Sequence, residues 1–252
     1  MKIIATDYDG TLNHKGIDER KKKAIAVWRK EGNLFGVVSG RGIKSLLGVL
    51  EGKDFEYDFL IGNNGAVICD KNINILNEYR CDGDIAKPFI EDLFYWGCPF
   101  ANIDKDVSIT VRADGEECDE EDNEIYLQQL PRIDYFNQIS TMLDTVEEAA
   151  RIVLKIKEKY GEVLTPLLNG NCIDIVPAGV DKAKGVYGLL EALGASYDDV
   201  IAVGDDYNDE AMIAEFRSYA MTNGVQLIKD LADDITEGIT ELIEKEMASI
   251  SV

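Results

Sequence analysis

The 252-residue sequence predicts an α/β protein, a doubly wound and mainly parallel sheet interrupted by a separate α+β segment. Three observations predict it. Short apolar strands alternate with amphipathic helices at both ends of the chain, the rhythm of a parallel sheet. The middle breaks that rhythm, with long helical patterns set among short strand-like segments. Acidic clusters fall just past strand ends, the edge where open α/β sheets bind ligands.

Lys2 to Thr6 reads as a buried strand running straight into carboxylates. Asp18 is the expected N-cap of a helix over Glu19 to Glu31, with Ile25 and Trp28 on its apolar face and Gly32 at the C′ position. Leu34 to Val38 is a second apolar strand, ended by Ser39-Gly40. Ile43, Leu46, Leu47 and Leu50 then recur at helical spacing. Phe59 to Ile61 is a third strand, followed by the turn-rich Gly62-Asn63-Asn64-Gly65.

From Gly83 to Val176 the pattern is mixed. Helices are expected over Ile85 to Trp96 and Val146 to Tyr160. Val107 to Val111 alternates, and Ile139 to Leu143 and Ile173 to Val176 read as strands. The parallel rhythm then returns. Ala183, Val186, Tyr187, Leu190 and Leu193 form a helical stripe closed by Gly194, and Val200 to Val203 is a fully apolar strand. A short helix around Glu210 to Ala214, a strand at Tyr219 to Met221 and a helix carrying Ile239, Leu242 and Ile243 complete it. The expected organisation is a core of residues 1–82 and 178–252, with an α+β domain of residues 83–177 inserted in it.

Composition narrows the function. Against 48 acidic residues stand 26 Lys and Arg, a formal charge of −22. Such a chain repels phosphate backbones and lacks a basic patch for an anionic membrane, so neither nucleic acid nor membrane is an expected partner. No apolar stretch approaches the length of a membrane span. The apolar residues before Asp7 are too few for a signal peptide, and a cytoplasmic protein is expected. The five cysteines are odd in number, with no CxxC and no zinc spacing, and are read as reduced thiols. His14 is the one histidine, so a Ser-His-Asp triad or a histidine metal site would rest on a single loop residue. Eight of the eleven residues from Asp114 to Glu124 are acidic, but without EF-hand spacing they read as a solvated loop. Gly40-Arg41-Gly42-Ile43-Lys44-Ser45 follows a strand, yet fits neither phosphate-loop pattern: Ile43 stands where the Walker form needs glycine, and Ser45 where the dinucleotide form needs it.

Four clusters carry the chemistry. In Asp7-Tyr8-Asp9-Gly10-Thr11, two carboxylates leave a strand end and Gly10 permits a turn, so that both can face one pocket. Ser39-Gly40-Arg41 offers a hydroxyl and bare amides at a helix entry, which suits an anionic oxygen. Lys182 opens a helix, an unfavourable place for a cation unless it faces an anion; Lys184 is its competitor. Gly204-Asp205-Asp206-Tyr207-Asn208-Asp209 follows an apolar strand. With Asp7 and Asp9 it is expected to crowd five carboxylates around one sheet edge, which a hard divalent cation with oxygen ligands would relieve, Mg²⁺ being the usual choice beside phosphate.

DYDGT, VVSGR, the Lys182 helix start and GDDYND, in that order, resemble the four motifs of the haloacid dehalogenase (HAD) superfamily. The inserted domain and the Asn64-Gly65-Ala66 turn resemble its Cof-type phosphatases, which carry a large α/β cap of type IIB on a Rossmann-like core. The resemblance implies a phosphoric monoester hydrolase acting on a small phosphorylated metabolite, first among them a sugar phosphate, through an aspartyl-phosphate. It implies Asp7 as nucleophile and Asp9 as general acid and base. Gly10, Thr11, Ser39, Gly40, Lys182 and Asn208 would bind the phosphoryl group. Mg²⁺ would be held by Asp7, the Asp9 main-chain carbonyl, Asp205 and Asp209. Two alternatives remain at this point: a phosphomutase of the same fold, and a phosphate-responsive binding module resembling a receiver domain, which is about half this length and has no inserted cap. Arg80 and Arg112 are further anion-contact candidates.

Overall fold

A computed structural model describes residues 1–105, 107–115 and 123–250. Most of the acidic loop expected between Asp114 and Glu124 lies outside the described residues. The chain divides into two compact units, Met1–Asn77 with Asp181–Val252, and Glu78–Val180.

The chain begins with β1 (Ile3–Thr6), α1 (Glu19–Lys30), β2 (Leu34–Val38), α2 (Ile43–Leu50), β3 (Phe59–Gly62), β4 (Val67–Asp70) and β5 (Ile75–Glu78). The inserted unit follows with β6 (Cys81–Asp82), α3 (Ala86–Tyr95), β7 (Ala101–Asp104), β8 (Ser108–Arg112), β9 (Glu124–Tyr126), β10 (Tyr135–Phe136), β11 (Gln138–Met142), α4 (Val146–Tyr160), β12 (Leu164–Asn169) and β13 (Cys172–Pro177). The chain then resumes the first unit with α5 (Lys182–Leu193), β14 (Val200–Gly204), α6 (Glu210–Glu215), β15 (Arg217–Met221), α7 (Gln226–Leu231), β16 (Asp234–Thr236) and α8 (Ile239–Ile250).

The first unit is built on one sheet in the order β16-β15-β14-β1-β2-β3-β4-β5. From β16 to β3 every neighbouring pair is parallel, and β4 runs antiparallel to β3. Ile4, Phe35, Val37, Ile201 and Val203 point to one face, where they pack with Ile25 and Trp28 of α1, Leu46 of α2 and Leu242 of α8. Helices α5, α6 and α7 lie against the strands from the other side. With both faces covered, the central strands are apolar throughout rather than alternating, which is why they were legible as continuous runs.

Two of the expected helix signals have visible causes. The Asp18 carboxylate accepts from the Lys21 amide at 2.8 Å, capping α1. Gly194 ends α5 in the left-handed region at φ 62°, which glycine adopts without a Cβ penalty.

The order places the site. After β1 the chain moves outward through β2 and β3, and β14 returns on the opposite side of β1. The topological switch therefore lies between β1 and β14, with Thr6 level with Val203 on one side and Val37 on the other. Residues just beyond these strand ends converge in the crevice where open α/β sheets bind ligands.

In the second unit the sheet order is β12-β13-β11-β7-β8-β9, antiparallel except for the last pair. Ile103, Ile139, Ile173 and Ile175 pack with Phe89 and Leu93 of α3 and Ile152 and Ile156 of α4. Along the adjacent register Asp174, Ser140, Asn102, Thr110 and Glu124 stand side by side, so the face away from the helices is polar.

The units divide at 77/78 and 180/181, not after Asp82 and Pro177 as the sequence reading had it. Pairing across the inserted unit decides this. Cys81 and Asp82 pair with Phe136 and Tyr135, the Asn137 amide binds the Glu78 carboxylate, and the Ala178 amide donates to Val163. A two-residue strand has no periodicity to reveal it. Arg80 and Arg112 are engaged inside this unit, with Glu78 and Glu124 respectively. Cys69, Cys81, Cys98 and Cys172 are free thiols, and burial pushes those of Cys81 and Cys98 up to about 11. Among the described residues no helix is long and apolar enough to cross a membrane.

Candidate active site

The chain leaves β1 at Asp7, whose amide donates to the Val203 carbonyl at 2.9 Å and so ties it to the end of β14. Three residues on, Gly10 turns the chain at φ 82°. Only glycine fits there, because a Cβ would lie 2.2 Å from Asp205 Oδ2. The turn thus brings the first acidic cluster against the last. Thr11 fixes the approach by donating its hydroxyl to Asp205 Oδ1, and the Asn223 amide donates to the Gly10 carbonyl at 3.0 Å.

Lys182 stands at the first turn of α5, capped by the Asp181 side chain. It is fully buried, and its Nζ donates to Asp7 Oδ1 at 2.7 Å and to Asp209 Oδ1 at 2.6 Å. The anion that justifies a lysine at a helix start is therefore a pair of carboxylates. Lys184 is exposed, so of the two lysines only Lys182 stands in the carboxylate cluster.

A close backbone contact sets the position of α5. A Cβ on Gly65 would meet the Asp181 carbonyl at 2.0 Å, and one on Gly185 would meet Gly65 Cα at 2.5 Å. The turn after β3 thus abuts the helix that carries Lys182. In the same turn Asn64 adopts φ 49°, and its Oδ1 accepts from the Asn208 amide at 3.1 Å.

Asp7, Asp205 and Asp209 offer oxygens within 4.8 Å of one another. The crowd is three carboxylates, not the five expected. Asp9 stands outside this group, accepting from Arg41 Nε at 2.7 Å and Nη2 at 3.0 Å, and Asp206 accepts from the Tyr207 amide, capping the turn that follows β14. Side-chain direction at a turn is set by local dihedrals and non-local partners, which the spacing of residues does not contain. Asp209 is held firmly: its Oδ2 accepts from the Asp205 and Asp206 amides while Oδ1 binds Lys182.

Charge follows from burial. Burial pushes the Asp7 carboxyl well above the usual range; Lys182 opposes the rise and Asp209 adds to it. Burial also pushes Asp205 up to about 6, with Asp209 and Asp206 adding and Thr11 and Lys182 opposing. Burial alone would lower the Lys182 pKa, but the Asp209 and Asp7 carboxylates outweigh it and the ammonium stays charged.

Ser39 follows β2, fully buried, and its Oγ accepts from the Arg41 amide at 3.1 Å while its carbonyl accepts from the Asn64 amide. Ser39 and Gly40 thus sit at the same strand edge as Asp7, one strand away. Arg41, Asn64 and Asn223 had no role in the sequence reading. Arg41 carried a signal, as the last residue of the Val37-Val38-Ser39-Gly40-Arg41 motif, and Asn64 did as the start of the Asn64-Gly65-Ala66 turn; Asn223 carried none, because its partner Gly10 is remote in sequence.

The oxygen-only donor set and the bare Gly10 beside Asp205 fit a small hard cation better than a thiophilic one.

Removing Lys182 removes the one cation between Asp7 and Asp209. Lys182→Ala is expected to reduce turnover by on the order of 10²–10³, the effect of losing one charge-stabilising donor. Lys184→Ala should leave it near wild type. Initial rates, with circular dichroism to verify folding, check the ranking; the reverse order would move the functional lysine two residues on.

Comparison with known proteins places the chain in a family and agrees with its fold. A family model for haloacid dehalogenase-like hydrolases matches residues 4–241. The chain is 26% identical over 242 residues to 5-amino-6-(5-phospho-D-ribitylamino)uracil phosphatase YcsE of Bacillus subtilis (strain 168), covering 94% of this chain and 90% of the relative. A HAD/COF-like hydrolase from Plasmodium vivax superposes with a TM-score of 0.84 at 20% identity, over 98% of this chain and 96% of that one. A HAD subclass IIB sugar phosphatase superposes with a TM-score of 0.79 at 16% identity, over 97% and 98% of the two chains.

Proposed function

From the premise that the chain belongs to the haloacid dehalogenase-like hydrolase family and is a phosphoric monoester hydrolase, we propose that it is a Mg²⁺-dependent phosphatase of small sugar or sugar-like phosphates. The observation that carries the reading is Asp7, buried at the topological switch with Lys182 on one of its carboxylate oxygens.

Asp7 attacks phosphorus, the bond to the leaving oxygen breaks, and an aspartyl-phosphate forms; water then hydrolyses it and restores the carboxylate. Lys182 holds one oxygen of the Asp7 carboxylate and offsets negative charge as the phosphoryl group arrives. Asp9 gives a proton to the leaving alkoxide in the first step and takes one from water in the second. Ser39, the amides of Gly10, Thr11 and Gly40, and Asn208 are assigned to the phosphoryl oxygens. Asp7, Asp205, Asp209 and the Asp9 carbonyl would hold Mg²⁺, which when bound neutralises charge on the transferring phosphoryl group. The unit of residues 78–180 is assigned the recognition of the rest of the substrate, as a cap.

Two relatives support the substrate class. One is named for a ribityl phosphate and the other as a sugar phosphatase, and both names describe phosphate esters on a polyhydroxylated carbon chain. A phosphate-release screen with Mg²⁺ across sugar, polyol and nucleoside phosphates and phosphoglycolate tests the reading. Preferred release from a sugar or polyol phosphate is expected. No release from any ester would overturn it, and an isomerised sugar phosphate in place of free phosphate would make the protein a mutase.

The metal assignment has a test independent of turnover. Asp7 and Asp205 carry raised carboxyl pKa values when no cation is bound. Their unfolded values are about 4, so the stability these two carboxyls lend the metal-free fold is lost as pH rises from about 4 through 6, where the folded state holds protons that the unfolded chain has released. A divalent cation needs those carboxylates ionised. Mg²⁺ is therefore expected to raise the melting temperature at pH 8, and the increment should shrink as pH falls below about 6. Activity should vanish with chelator and return with Mg²⁺. Full activity in excess chelator, or a Mg²⁺ increment independent of pH, would remove the metal from the site.

A further inference from the structure

Arg41 sits two residues past Ser39, outside the groups given roles above. Its main chain is pinned on both sides: the amide donates to Ser39 Oγ at 3.1 Å, and the carbonyl accepts from the Asn63 amide at 2.9 Å. Gly62 packs beneath it, where an added Cβ would lie 3.0 Å from the Arg41 carbonyl. From this fixed base the guanidinium reaches Asp9 as a two-pronged fork, Nε to Oδ2 at 2.7 Å and Nη2 to Oδ1 at 3.0 Å. Both carboxylate oxygens are taken by one rigid plane, which fixes the direction of the carboxylate as a single ammonium cannot.

The partner is unusual in its setting. Asp9 immediately precedes the left-handed turn at Gly10 and is half exposed, with 52% of its side-chain surface accessible. A carboxylate so placed has free χ rotation and no packing to orient it, unlike buried Asp7 and Asp209. An acid–base group needs its oxygens within hydrogen-bond reach of the reacting proton, and misplacement by about 1 Å costs up to roughly 10²-fold in rate. The fork is the one orienting contact that the described structure gives to the Asp9 side chain.

We propose that Arg41 is a positioning residue of the reaction: it aims the Asp9 carboxylate, and acts on turnover through Asp9 rather than by binding the phosphoryl group. The inference rests on the assignment of Asp9 as acid and base in the proposed function. It follows that the fork, not the charge, matters. A lysine keeps the charge and loses the second prong.

The test compares Arg41→Lys, Arg41→Gln, Asp9→Asn and the Asp9→Asn/Arg41→Gln double variant. Arg41→Lys and Arg41→Gln are both expected to lower kcat by roughly 10–100-fold with KM little changed. In the Asp9→Asn background Arg41→Gln should cost little more, because the residue it serves is gone. If Arg41 binds substrate phosphate instead, KM rises, Arg41→Lys stays near wild type, and the two substitutions add. A second readout needs no turnover: the Arg41 Nε–H resonance in ¹⁵N spectra should move when Asp9 becomes Asn in the protein without substrate. An unmoved resonance would mean the fork does not exist and would overturn the inference whether or not the protein is active. A moved resonance in a protein that hydrolyses no ester would instead point to failure of the phosphatase reading.

Discussion

Asp7→Asn is expected to abolish turnover and leave the fold intact. The amide nitrogen carries no lone pair free to attack phosphorus, so no aspartyl-phosphate forms and the remaining groups only bind. The fold should tolerate the change for a reason visible at the site. Burial holds the Asp7 carboxyl well above its usual pKa, so the ionised form is costly where it stands. An amide is neutral and of the same shape, and its carbonyl still accepts from Lys182. Melting temperature without added metal should therefore be equal to or above that of the wild type, while the rate falls to background. Phosphate release well above background from a contaminant-free preparation would show that Asp7 is not the nucleophile.

The second large effect separates the two steps assigned to Asp9. As an acid it matters when the leaving group is a poor one, such as a sugar alkoxide. Nitrophenolate departs without help. Asp9→Asn should still form the Asp7 aspartyl-phosphate from p-nitrophenyl phosphate, then stall because water is not activated. A burst of nitrophenol with phosphate trapped on the protein is expected in rapid-quench experiments. With a sugar phosphate the variant should lose roughly 10²–10⁴ in rate, the usual worth of acid–base catalysis. The half-exposed position of Asp9 makes a folding explanation for such a loss weak, since its side chain is outside the hydrophobic core and pairs only with Arg41 among the described residues. Equal slowing for both substrates with no burst would mean that Asp9 holds the metal site or the loop rather than moving protons.

The parallel core was readable residue by residue. Ile3 to Thr6, Leu34 to Val38 and Val200 to Gly204 are covered on both faces, so they are apolar or small at all positions but Thr6 and stand out as runs. Asp18, Gly32 and Gly194 mark helix ends through local backbone chemistry. Strands that depend on their neighbours were not readable. β5 at the sheet edge, β12 in the inserted unit and β16 near the end lack the signal, whereas β4 carries it in Val67-Ile68-Cys69 and is too short to stand out beside the turn before it. Asn77 and Glu78 in β5, and Pro166 and Asn169 in β12, are poor strand formers taken in by an adjacent strand. The short α7 escaped because nothing marks its start: Val225 stands at its N-cap, and six residues hold little of a period.

At the site the division is the same. The sequence by itself determined which chemistry-bearing residues exist and that they follow strand ends: Asp7 after β1, Ser39 after β2, Asp205 and Asp209 after β14. Those placements rest on local periodicity and on the rule that parallel strands open their loops at one edge. Only the tertiary structure decided how the side chains pair. Lys182, not Lys184, is the lysine between Asp7 and Asp209; Asp9 faces Arg41; Thr11 faces Asp205. These pairs join residues 27 to 194 positions apart. Their geometry is set by the stacking of Gly65 on Gly185 and of Gly10 on Asp205, contacts within van der Waals limits that no local pattern encodes.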